Sequence, residues 1–400
     1  MPPGKFRFAI VGCGYVADNY MFAFGQYPEA EMLRAFDIVP EHAARFTAHW
    51  GVPSVTTMAE FLDGLEADLV LNLTNPGAHF EVSKALLEAG FPVYSEKPLG
   101  MRFEEVEALA ALAAGRGLAL AGAPCNHLAE AADALRRALD QDRIGRPLLA
   151  YAEVDDKLIA KSPVETWRNL SGAPWPFEDE FRVGCTLEHA GYYLTWLVAA
   201  FGPIESVTAF AGLQYPGKPV GDGVEGPDFS VAALKFASGM AARLTCSVIA
   251  PKDHALRIFG DAGELTAEDC WFYQTPVRYR RWMRIRRRLL LSPWSNRVPL
   301  DPPPVTTRTS TAASMDFMRG PMEILRAAQE GRPSRLPTDF CVHVNEAALA
   351  IHHAAETPGL YRMKSSCTPP APAASPHDDR RDPGFLDRHL PPLFERMFPR

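Results

Sequence analysis

The 400-residue sequence lacks the features of several protein classes. Its seven cysteines are scattered, and none is paired in a C-x-x-C motif, so we expect neither a disulfide framework nor a structural zinc site. Acidic residues (48) outnumber basic ones (41), and this balance argues against general nucleic-acid binding. No apolar run approaches the length of a membrane span, and no secretory leader is recognisable. We therefore expect a cytoplasmic protein that holds no metal ion.

The first forty residues are typical of a dinucleotide-binding unit. An apolar strand ends in the turn GCGYVA (residues 12–17), a G-x-G-x-x-A pattern, and a helix follows. The first glycine of this pattern allows a tight turn, the second lets a pyrophosphate approach the backbone, and the small last residue lets the helix pack closely. The next strand ends in Asp37, 20 residues beyond Ala17, where a carboxylate binds ribose hydroxyls and repels a 2′-phosphate. The pattern predicts NAD binding, with NADP less favoured.

A second motif, Glu96-Lys97-Pro98, follows an apolar strand over residues 91–94. The carboxyl end of a strand is where open α/β sheets bind their ligands. Pro98 restricts the backbone of Lys97, and Glu96 can hold or tune the Lys97 ammonium. The triplet alone is also typical of a surface turn. Its place downstream of the glycine-rich turn makes Lys97 a candidate catalytic residue.

The pattern of strands and helices divides the chain. Strands alternate with helices up to residue 128, which predicts an N-terminal Rossmann domain with a doubly wound parallel sheet at 1–128. Strands joined by glycine-containing turns follow from residue 148, and they predict an open, mostly antiparallel sheet in a substrate and oligomerisation domain at 129–363. The Pro-rich composition of residues 364–400 predicts a disordered tail.

Taken together, these motifs resemble the Gfo/Idh/MocA oxidoreductases over about the first 355 residues. The resemblance lies in the G-x-G-x-x-A turn, the Glu96-Lys97-Pro98 triplet, the Ile144-Gly145 turn and the Gly331-Arg332-Pro333 segment. It implies an active site between a Rossmann domain and an open sheet that forms a homo-oligomer. It also implies hydride exchange between a nicotinamide and a hydroxyl or carbonyl carbon of a sugar, nucleotide sugar or cyclitol, with Lys97 binding the reacting oxygen.

The sequence departs from the family at one motif. Family members usually carry D-x-G-x-H in a second-domain helix, where the aspartate binds substrate and the histidine exchanges the proton. Aligned on Gly191, this chain has His189 and Tyr193 at those positions, and the aspartate's charge is lost unless Glu188 supplies it. A phenol beside an ammonium is a workable acid and base. Lys97, Tyr193 and His189 are the candidate catalytic residues, although a helix-cap role for His189 and a core role for Tyr193 stay open.

The departure leaves two functional interpretations. The first is an active oxidoreductase, and the second is an inactive NAD-binding paralogue that serves as a regulator or assembly partner. In either case, the residues expected at the cofactor are Gly12, Gly14, Tyr15, Val16, Ala17, Asp37, Thr74, Asn75, His79, Glu96 and Lys97. His79 is also typical of a solvated helix face. Trp167, Trp175 and residues 178–180 could cover a sugar ring or form a solvated acidic loop.

An arginine-rich segment is the last unusual feature. Seven arginines lie between Arg278 and Arg288, next to Trp282 and Trp294. Folded as a helix, the segment would carry apolar residues on one side and arginines on the other. It is either a solvated insertion or a weak peripheral contact with anionic lipid or a phosphorylated substrate.

Overall fold

The computed structural model describes residues 5–221, 223–301 and 315–375. Its first sheet has six parallel strands in the order β3-β2-β1-β4-β5-β6. The elements are β1 (Phe6–Val11), α1 (Tyr15–Phe24), β2 (Ala30–Phe36), α2 (Pro40–Trp50), β3 (Ser54–Val55), α3 (Met58–Leu62), β4 (Leu69–Asn72), α4 (His79–Glu88), β5 (Val93–Ser95), α5 (Phe103–Arg116) and β6 (Leu120–Gly122). The central strand β4 is buried throughout, as expected for a parallel sheet covered on both faces. The predicted doubly wound sheet is confirmed.

The strand order creates a crevice between β1 and β4. The chain winds outward in opposite directions from these two strands, and open α/β sheets bind ligands at such a point. Gly12 follows β1 with a φ of 99°, and a Cβ there would lie 2.6 Å from the carbonyl group of Leu73, which follows β4. Only glycine tolerates both the backbone conformation and this close approach.

A second, ten-stranded sheet has the order β14-β13-β12-β11-β7-β10-β9-β8-β16, with β15 beside β13. Its elements are α6 (Glu130–Asp140), β7 (Pro147–Asp155), α7 (Phe177–Val183), α8 (Cys185–Phe201), β8 (Ile204–Gly212), β9 (Phe229–Phe236), β10 (Ala241–Ser247), β11 (Leu256–Gly260), β12 (Gly263–Ala267), β13 (Val277–Ile285), β14 (Arg288–Leu291), β15 (Asn296–Arg297), α9 (Arg319–Glu330), α10 (Thr338–His352) and β16 (Leu360–Arg362). Apart from the parallel pair β7–β10, the strands pair antiparallel, which confirms the predicted mostly antiparallel sheet.

Of the described helices, none is long and apolar enough to cross a bilayer.

The arginine-rich segment is a two-stranded ribbon, so the helical interpretation is wrong. β13 and β14 pair antiparallel with Trp282 opposite Leu291 and Ile285 opposite Arg288. Aromatic and β-branched residues favour strands, and successive side chains of a strand point to opposite faces. Arginines and apolar residues therefore share both faces of the ribbon, and the one-sided arrangement of a helix does not form.

The described part of the predicted tail packs against α6 and the segment before α10. Arg136 donates a hydrogen bond to the carbonyl of Pro370 (2.6 Å), and Arg335 donates one to the carbonyl of Ala371 (3.0 Å). The N–H of Ala373 lies 3.3 Å from the Asp133 carboxylate. Residues 364–375 are therefore attached to the second domain. Residues 376–400, for which disorder is also predicted, lie outside the described residues.

Candidate active site

A cleft of about 660 Å³ starts at the β1–β4 crevice and extends to α7 and α8. Most of the residues predicted at the cofactor line it, namely Gly12, Gly14, Tyr15, Val16, Asp37, Thr74, Asn75, His79, Glu96 and Lys97. Ala17 does not. It is fully buried, where its small side chain lets α1 pack against the sheet. Each loop that the sequence motifs identified at the carboxyl edge of the first sheet therefore contributes residues to the lining of the cleft.

The end of the cleft near α1 fits a dinucleotide. A Cβ added to Gly14 would have nothing within 4 Å, so the backbone there faces open space at the start of α1. The free N–H groups and the dipole of a helix N-terminus favour a phosphate at such a place. Asp37 accepts hydrogen bonds from the N–H groups of Cys13 (2.8 Å) and Val39 (2.9 Å), which fix its carboxylate beside the turn. This donor and acceptor set suits the pyrophosphate and the ribose hydroxyls of NAD.

Two basic residues of α2 also reach this end, and the motifs did not identify them. His42 Nδ1 lies 3.5 Å from the Asp37 carboxylate, and Arg45 donates a hydrogen bond to the carbonyl of Cys13 (3.2 Å). Both line the cleft. Their position soon after Asp37 on the helix that follows β2 is the signal that could have found them. They lie on the same side of the cleft as Asp37, the carboxylate expected to discriminate between NAD and NADP.

His79 joins two loops of the crevice. Its Nδ1 lies 2.7 Å from the carbonyl oxygen of Pro98, and its Nε2 lies 2.8 Å from that of Thr74. The ring is 1% exposed, and this burial lowers the pKa of His79. The solvated-face interpretation of His79 is therefore wrong. The residue holds the loop after β4 against the loop that carries Lys97.

Lys97 lies where the edge of the first sheet meets helix α8. Its ammonium forms an ion pair with the carboxylate of Glu188 from α8. Burial alone would lower the pKa of Lys97, but Glu188 and Glu180, with smaller contributions from Tyr192 and Glu96, raise it well above its ordinary value. Lys97 is therefore a stable ammonium in the free protein and a strong hydrogen-bond donor.

Glu96 is fixed beside Lys97 by the first helix. The hydroxyl of Tyr20, from α1, donates a hydrogen bond to the Glu96 carboxylate at 2.7 Å. The backbone N–H of Lys97 donates to the same carboxylate at 3.1 Å. Glu96 is 7% exposed, and it accepts both bonds where it lines the cleft. The prediction that Glu96 holds the Lys97 ammonium is wrong, because the ammonium pairs with Glu188 and Glu96 contacts only the Lys97 backbone N–H. Its charge does make a small contribution to the raised pKa of Lys97.

The face of α8 that lines the cleft carries Glu188 and Tyr192. Residues four apart lie on one face of a helix, and the next residue is rotated by about 100°. His189 and Tyr193, the pair selected by alignment on Gly191, therefore point elsewhere. Tyr193 is fully buried and donates its hydroxyl hydrogen to the carbonyl of His254, as a core residue does. The prediction that Tyr193 lies in the cleft with Lys97 is wrong by one helical position. His189 does not line the cleft itself but lines a small recess next to it, together with Glu180 and Glu188.

The acidic segment before α8 covers the cleft. Trp175, Asp179 and Glu180 line it, and Asn75 donates a hydrogen bond across it to Asp179 at 2.6 Å. Burial raises the pKa of Glu180 well above its ordinary value, and Glu188, which is within hydrogen-bonding range, raises it further. Of the two interpretations left open for this segment, a role in covering the site fits Trp175, Asp179 and Glu180. Trp167 does not line the cleft, and Glu178 is exposed and paired with Arg182, as in a solvated loop.

A second set of bonds attaches the preceding loop to α1. Asn169 donates hydrogen bonds to the carbonyl of Tyr15 (2.7 Å) and to the side chain of Asn19 (3.0 Å). The N–H of Ser171 donates to the Asp18 carboxylate at 2.8 Å. The segment between β7 and α7 thus crosses above the glycine-rich turn and limits access to the cleft from that side.

Two family models match this chain. One, described as the oxidoreductase family with an NAD-binding Rossmann fold, matches residues 6–122. The other, the GFO/IDH/MocA C-terminal domain, matches residues 132–266. Together they cover more than half of the sequence and both sides of the cleft. The chain belongs to the Gfo/Idh/MocA oxidoreductase family.

Individual relatives are more distant. A proposed UDP-kanosamine synthase oxidoreductase subunit of Amycolatopsis mediterranei is 30% identical over 34% of this chain and 37% of its own length. The 1,5-anhydro-D-fructose reductase of Ensifer adhaerens is 29% identical over 36% of this chain and 44% of its own length. The chain thus spans less than half the length of these two relatives. The WlbA dehydrogenase of Bordetella pertussis, solved with NADH and UDP-GlcNAcA, has the same fold (TM-score 0.69, 20% identity, 90% of this chain and 99% of that one).

Proposed function

We propose that this protein is an NAD-dependent oxidoreductase that exchanges a hydride with the hydroxyl or carbonyl carbon of a sugar, nucleotide sugar or cyclitol. The observation that carries the proposal is the ion pair between Lys97 and Glu188, which joins the two domains at the inner end of the cleft. The names of the relatives, a kanosamine synthase subunit and an anhydrofructose reductase, support a sugar-like substrate. A cytoplasmic location is part of the proposal.

The roles of the residues follow from their contacts. NAD, when bound, supplies the hydride acceptor. Lys97 donates a hydrogen bond to the reacting oxygen and stabilises the negative charge that develops there as the O–H bond breaks. As the substrate hydroxyl gives its proton to the Lys97 nitrogen, Lys97 passes one of its own protons to the Glu188 carboxylate with which it is paired, so Lys97 is again an ammonium and Glu188 holds the released proton. Tyr192 provides a second hydrogen-bond donor beside them. Burial raises the pKa of Tyr192, so its phenol remains protonated and acts as a donor.

Nothing in the described part of the chain favours the inactive paralogue. That alternative depended on the loss of the D-x-G-x-H motif. Glu188 and Tyr192 retain its spacing, with a carboxylate and a proton-bearing side chain four residues apart on the face that lines the cleft. The reacting groups needed for an acid–base step are therefore present, although in a register displaced by one residue.

Spectroscopic detection of cofactor reduction is the direct test. Wild-type protein and Lys97→Met are incubated with NAD and a panel of sugars, nucleotide sugars and cyclitols. We expect at least one member to reduce NAD with the wild-type protein and not with the variant, while both bind NADH. The proposal fails if the wild-type protein binds NADH and panel members but never transfers a hydride.

We also propose that the second sheet forms a homo-oligomer. The face opposite α8 and α10 carries Tyr151 and Phe259, which pack edge to face, and Phe210, which is 51% exposed. Exposed aromatic surface that is continuous across neighbouring strands is a candidate for a protein–protein contact. Sedimentation of the wild-type protein and of Phe210→Asp tests this proposal. We expect the wild-type protein to be oligomeric and the variant to dissociate more readily, and a monomeric wild-type protein would contradict the proposal.

The ribbon of β13 and β14 supports a further proposal, a weak peripheral contact with anionic membranes. Its exposed residues include Arg286, Arg287 and Arg288, with Leu289 at 62% and Trp294 at 44% exposure. Basic and apolar side chains at one projecting edge suit an anionic lipid interface. The positive charge of this ribbon contrasts with the overall charge of −7 of the chain, so attraction to an anionic surface would be local to the ribbon.

A further inference from the structure

The carboxyl groups of Glu180 and Glu188 form a pair where α7 meets α8. The two helices are separated by Gly184, whose φ of 85° turns the chain sharply between them. This turn brings the side chain of Glu180 within hydrogen-bonding range of Glu188. The two acidic residues that precede it in α7, Glu178 and Asp179, form ion pairs with an arginine of the same helix. Glu180 therefore faces a carboxyl group where its neighbours face a cation.

The pair holds one proton, and that proton is on Glu180. Two carboxylates in contact repel each other, so one of them takes up a proton. Glu188 is the ionised member, because it is paired with the Lys97 ammonium. Burial and the negative charge of Glu188 raise the pKa of Glu180 well above its ordinary value. The Glu180 carboxyl group is thus a neutral acid that donates its O–H to Glu188.

The other charged and titratable groups around Glu180 leave this proton in place. The charge of Lys97 lowers the pKa of Glu180, whereas Glu96 adds to the effects that raise it. In the recess beside the cleft, burial lowers the pKa of His189 to about 3, so its ring is neutral. The ammonium of Lys218, also in the recess, is held by two carboxylates at 3.0 and 3.2 Å.

Glu180 also lies between Glu188 and solvent. In the proposed reaction Glu188 holds the released proton, and this proton must leave before the next turnover. Glu188 is 7% exposed, and its carboxyl group contacts Lys97 and Glu180. Glu180 is half-buried and lines both the cleft and the recess. The recess has a volume of about 40 Å³, which is enough for a water molecule.

We propose that Glu180 is a proton relay that carries the released proton from Glu188 to solvent. The inference rests on the proposed function and adds a residue to its proton path. The O–H bond of Glu180 breaks and its proton moves to water, while the proton held by Glu188 moves to the Glu180 carboxylate. The pair again holds one proton, Lys97 remains an ammonium, and one proton leaves for each hydride transferred. Glu180 does not touch the reacting oxygen, so it acts through Glu188.

Infrared difference spectroscopy tests the stored proton in the free protein without turnover. A protonated carboxyl group has a C=O stretch that carboxylates lack and that shifts in D2O. We expect the wild-type spectrum minus that of Glu180→Gln to show this band at neutral pH. Glu178→Gln is the matched control, because Glu178 is exposed and paired with Arg182, and its difference spectrum should lack the band. Absence of the band in the Glu180→Gln difference spectrum overturns the inference.

The timing of proton release then tests the relay. A single turnover with NAD and a panel member that reduces it is followed in weak buffer, with NADH absorbance and a pH-indicator dye. In the wild-type protein and Glu178→Gln, the proton should appear together with NADH. A glutamine can donate to Glu188 but cannot pass a proton on, so Glu180→Gln should form NADH within about twofold of the wild-type rate and release the proton about tenfold or more slowly.

Two failures can be told apart. Proton release that keeps pace with NADH formation in Glu180→Gln would refute the relay alone. A protein that shows the infrared band but reduces NAD with no panel member would refute the proposed function and the relay together.

Discussion

The ammonium of Lys97, on the loop after β5, and the carboxylate of Glu188, on α8, form an ion pair between the two domains. Both side chains are largely withdrawn from solvent, at 20% and 7% exposure. A buried pair of this kind is a poor source of stability, because desolvation offsets most of the Coulomb attraction. Because the pair lines the cleft, we propose that it serves the reaction rather than stability.

Removing either partner of this pair should abolish turnover and spare the cofactor. We expect Lys97→Met and Glu188→Gln each to lower kcat by about 100-fold or more, the usual contribution of acid–base and charge stabilisation. The dissociation constant of NADH, measured by fluorescence, should change little because the glycine-rich turn and Asp37 are distant in sequence and untouched. Glu178→Gln is the control, and a near-normal kcat in either active-site variant would contradict the mechanism.

The neighbouring tyrosines of α8 provide a test of the helix register. Tyr192→Phe should lower kcat about tenfold or more with little loss of stability, because the hydroxyl lies at the cleft. Tyr193→Phe should leave kcat of the folded enzyme unchanged but lower the free energy of unfolding by about 1–3 kcal/mol, since the His254 carbonyl loses a buried donor. Steady-state kinetics and urea unfolding of both variants show which tyrosine takes part in the reaction. The reverse pattern would restore Tyr193 as the reacting residue.

That one-residue error marks the limit of what the sequence could predict. The glycine-rich turn and Asp37 depend on local backbone geometry and spacing, so their place in the cleft followed from the motif. Gly191 is a packing residue, because a Cβ there would lie 2.8 Å from the ring of Pro124. Aligning the motif on Gly191 therefore does not reveal which neighbouring side chains face the cleft. Their orientation depends on how α8 packs against the first domain.

Two other predictions were limited by the lack of tertiary information. The ribbon was predicted to be a helix, and the role of the α7 segment was left open. The arginines obscured strand β13, because their charge was considered before the alternation of the buried Val277 and Tyr279 with Arg278 and Arg280. Glu180 reaches Glu188 only through the tertiary fold, and no spacing rule connects residues of two helices separated by a glycine break at Gly184. Contacts between domains are set by packing, which a single sequence does not encode as a local pattern.

Neutralising Asp37 should narrow the preference for NAD over NADP. Asp37→Asn keeps an oxygen acceptor for the N–H groups of Cys13 and Val39 but removes the charge that would repel a 2′-phosphate. His42 and Arg45 then face that phosphate without a competing carboxylate. We expect the ratio of the NADP to NAD dissociation constants to fall about tenfold or more, which corresponds to about 1.4 kcal/mol. Equal ratios in the variant and the wild-type protein would exclude Asp37 as the discriminating residue.

The ribbon should bind anionic vesicles in a salt-dependent way. Each basic residue near an anionic surface contributes about 1 kcal/mol, and screening over about 8 Å at physiological ionic strength weakens it. In a flotation assay we expect more protein with anionic than with neutral liposomes, and less after Arg286, Arg287 and Arg288 are replaced by serine. Serine at the exposed Arg116 and Arg362 is the control. Equal recovery with both lipids would contradict the membrane contact and favour the interpretation of the ribbon as a solvated insertion.

His189 should make stability fall in mild acid. In the unfolded chain a histidine gains a proton below about pH 6.5, whereas in the folded protein the pKa of His189 is about 3 because the ring is buried. The unfolded state therefore binds more protons between these values, and stability falls as the pH falls, by about 1.4 kcal/mol per unit or roughly 2 kcal/mol from pH 6.5 to pH 5.

Urea unfolding of the wild-type protein and His189→Gln at pH 7 and pH 5 measures this contribution. Other titrating groups contribute to both proteins and cancel in the difference between them. The wild-type protein should lose about 2 kcal/mol more than the variant between the two pH values. Equal losses would mean that His189 binds a proton in the folded state, which would contradict the lowered pKa that its burial implies.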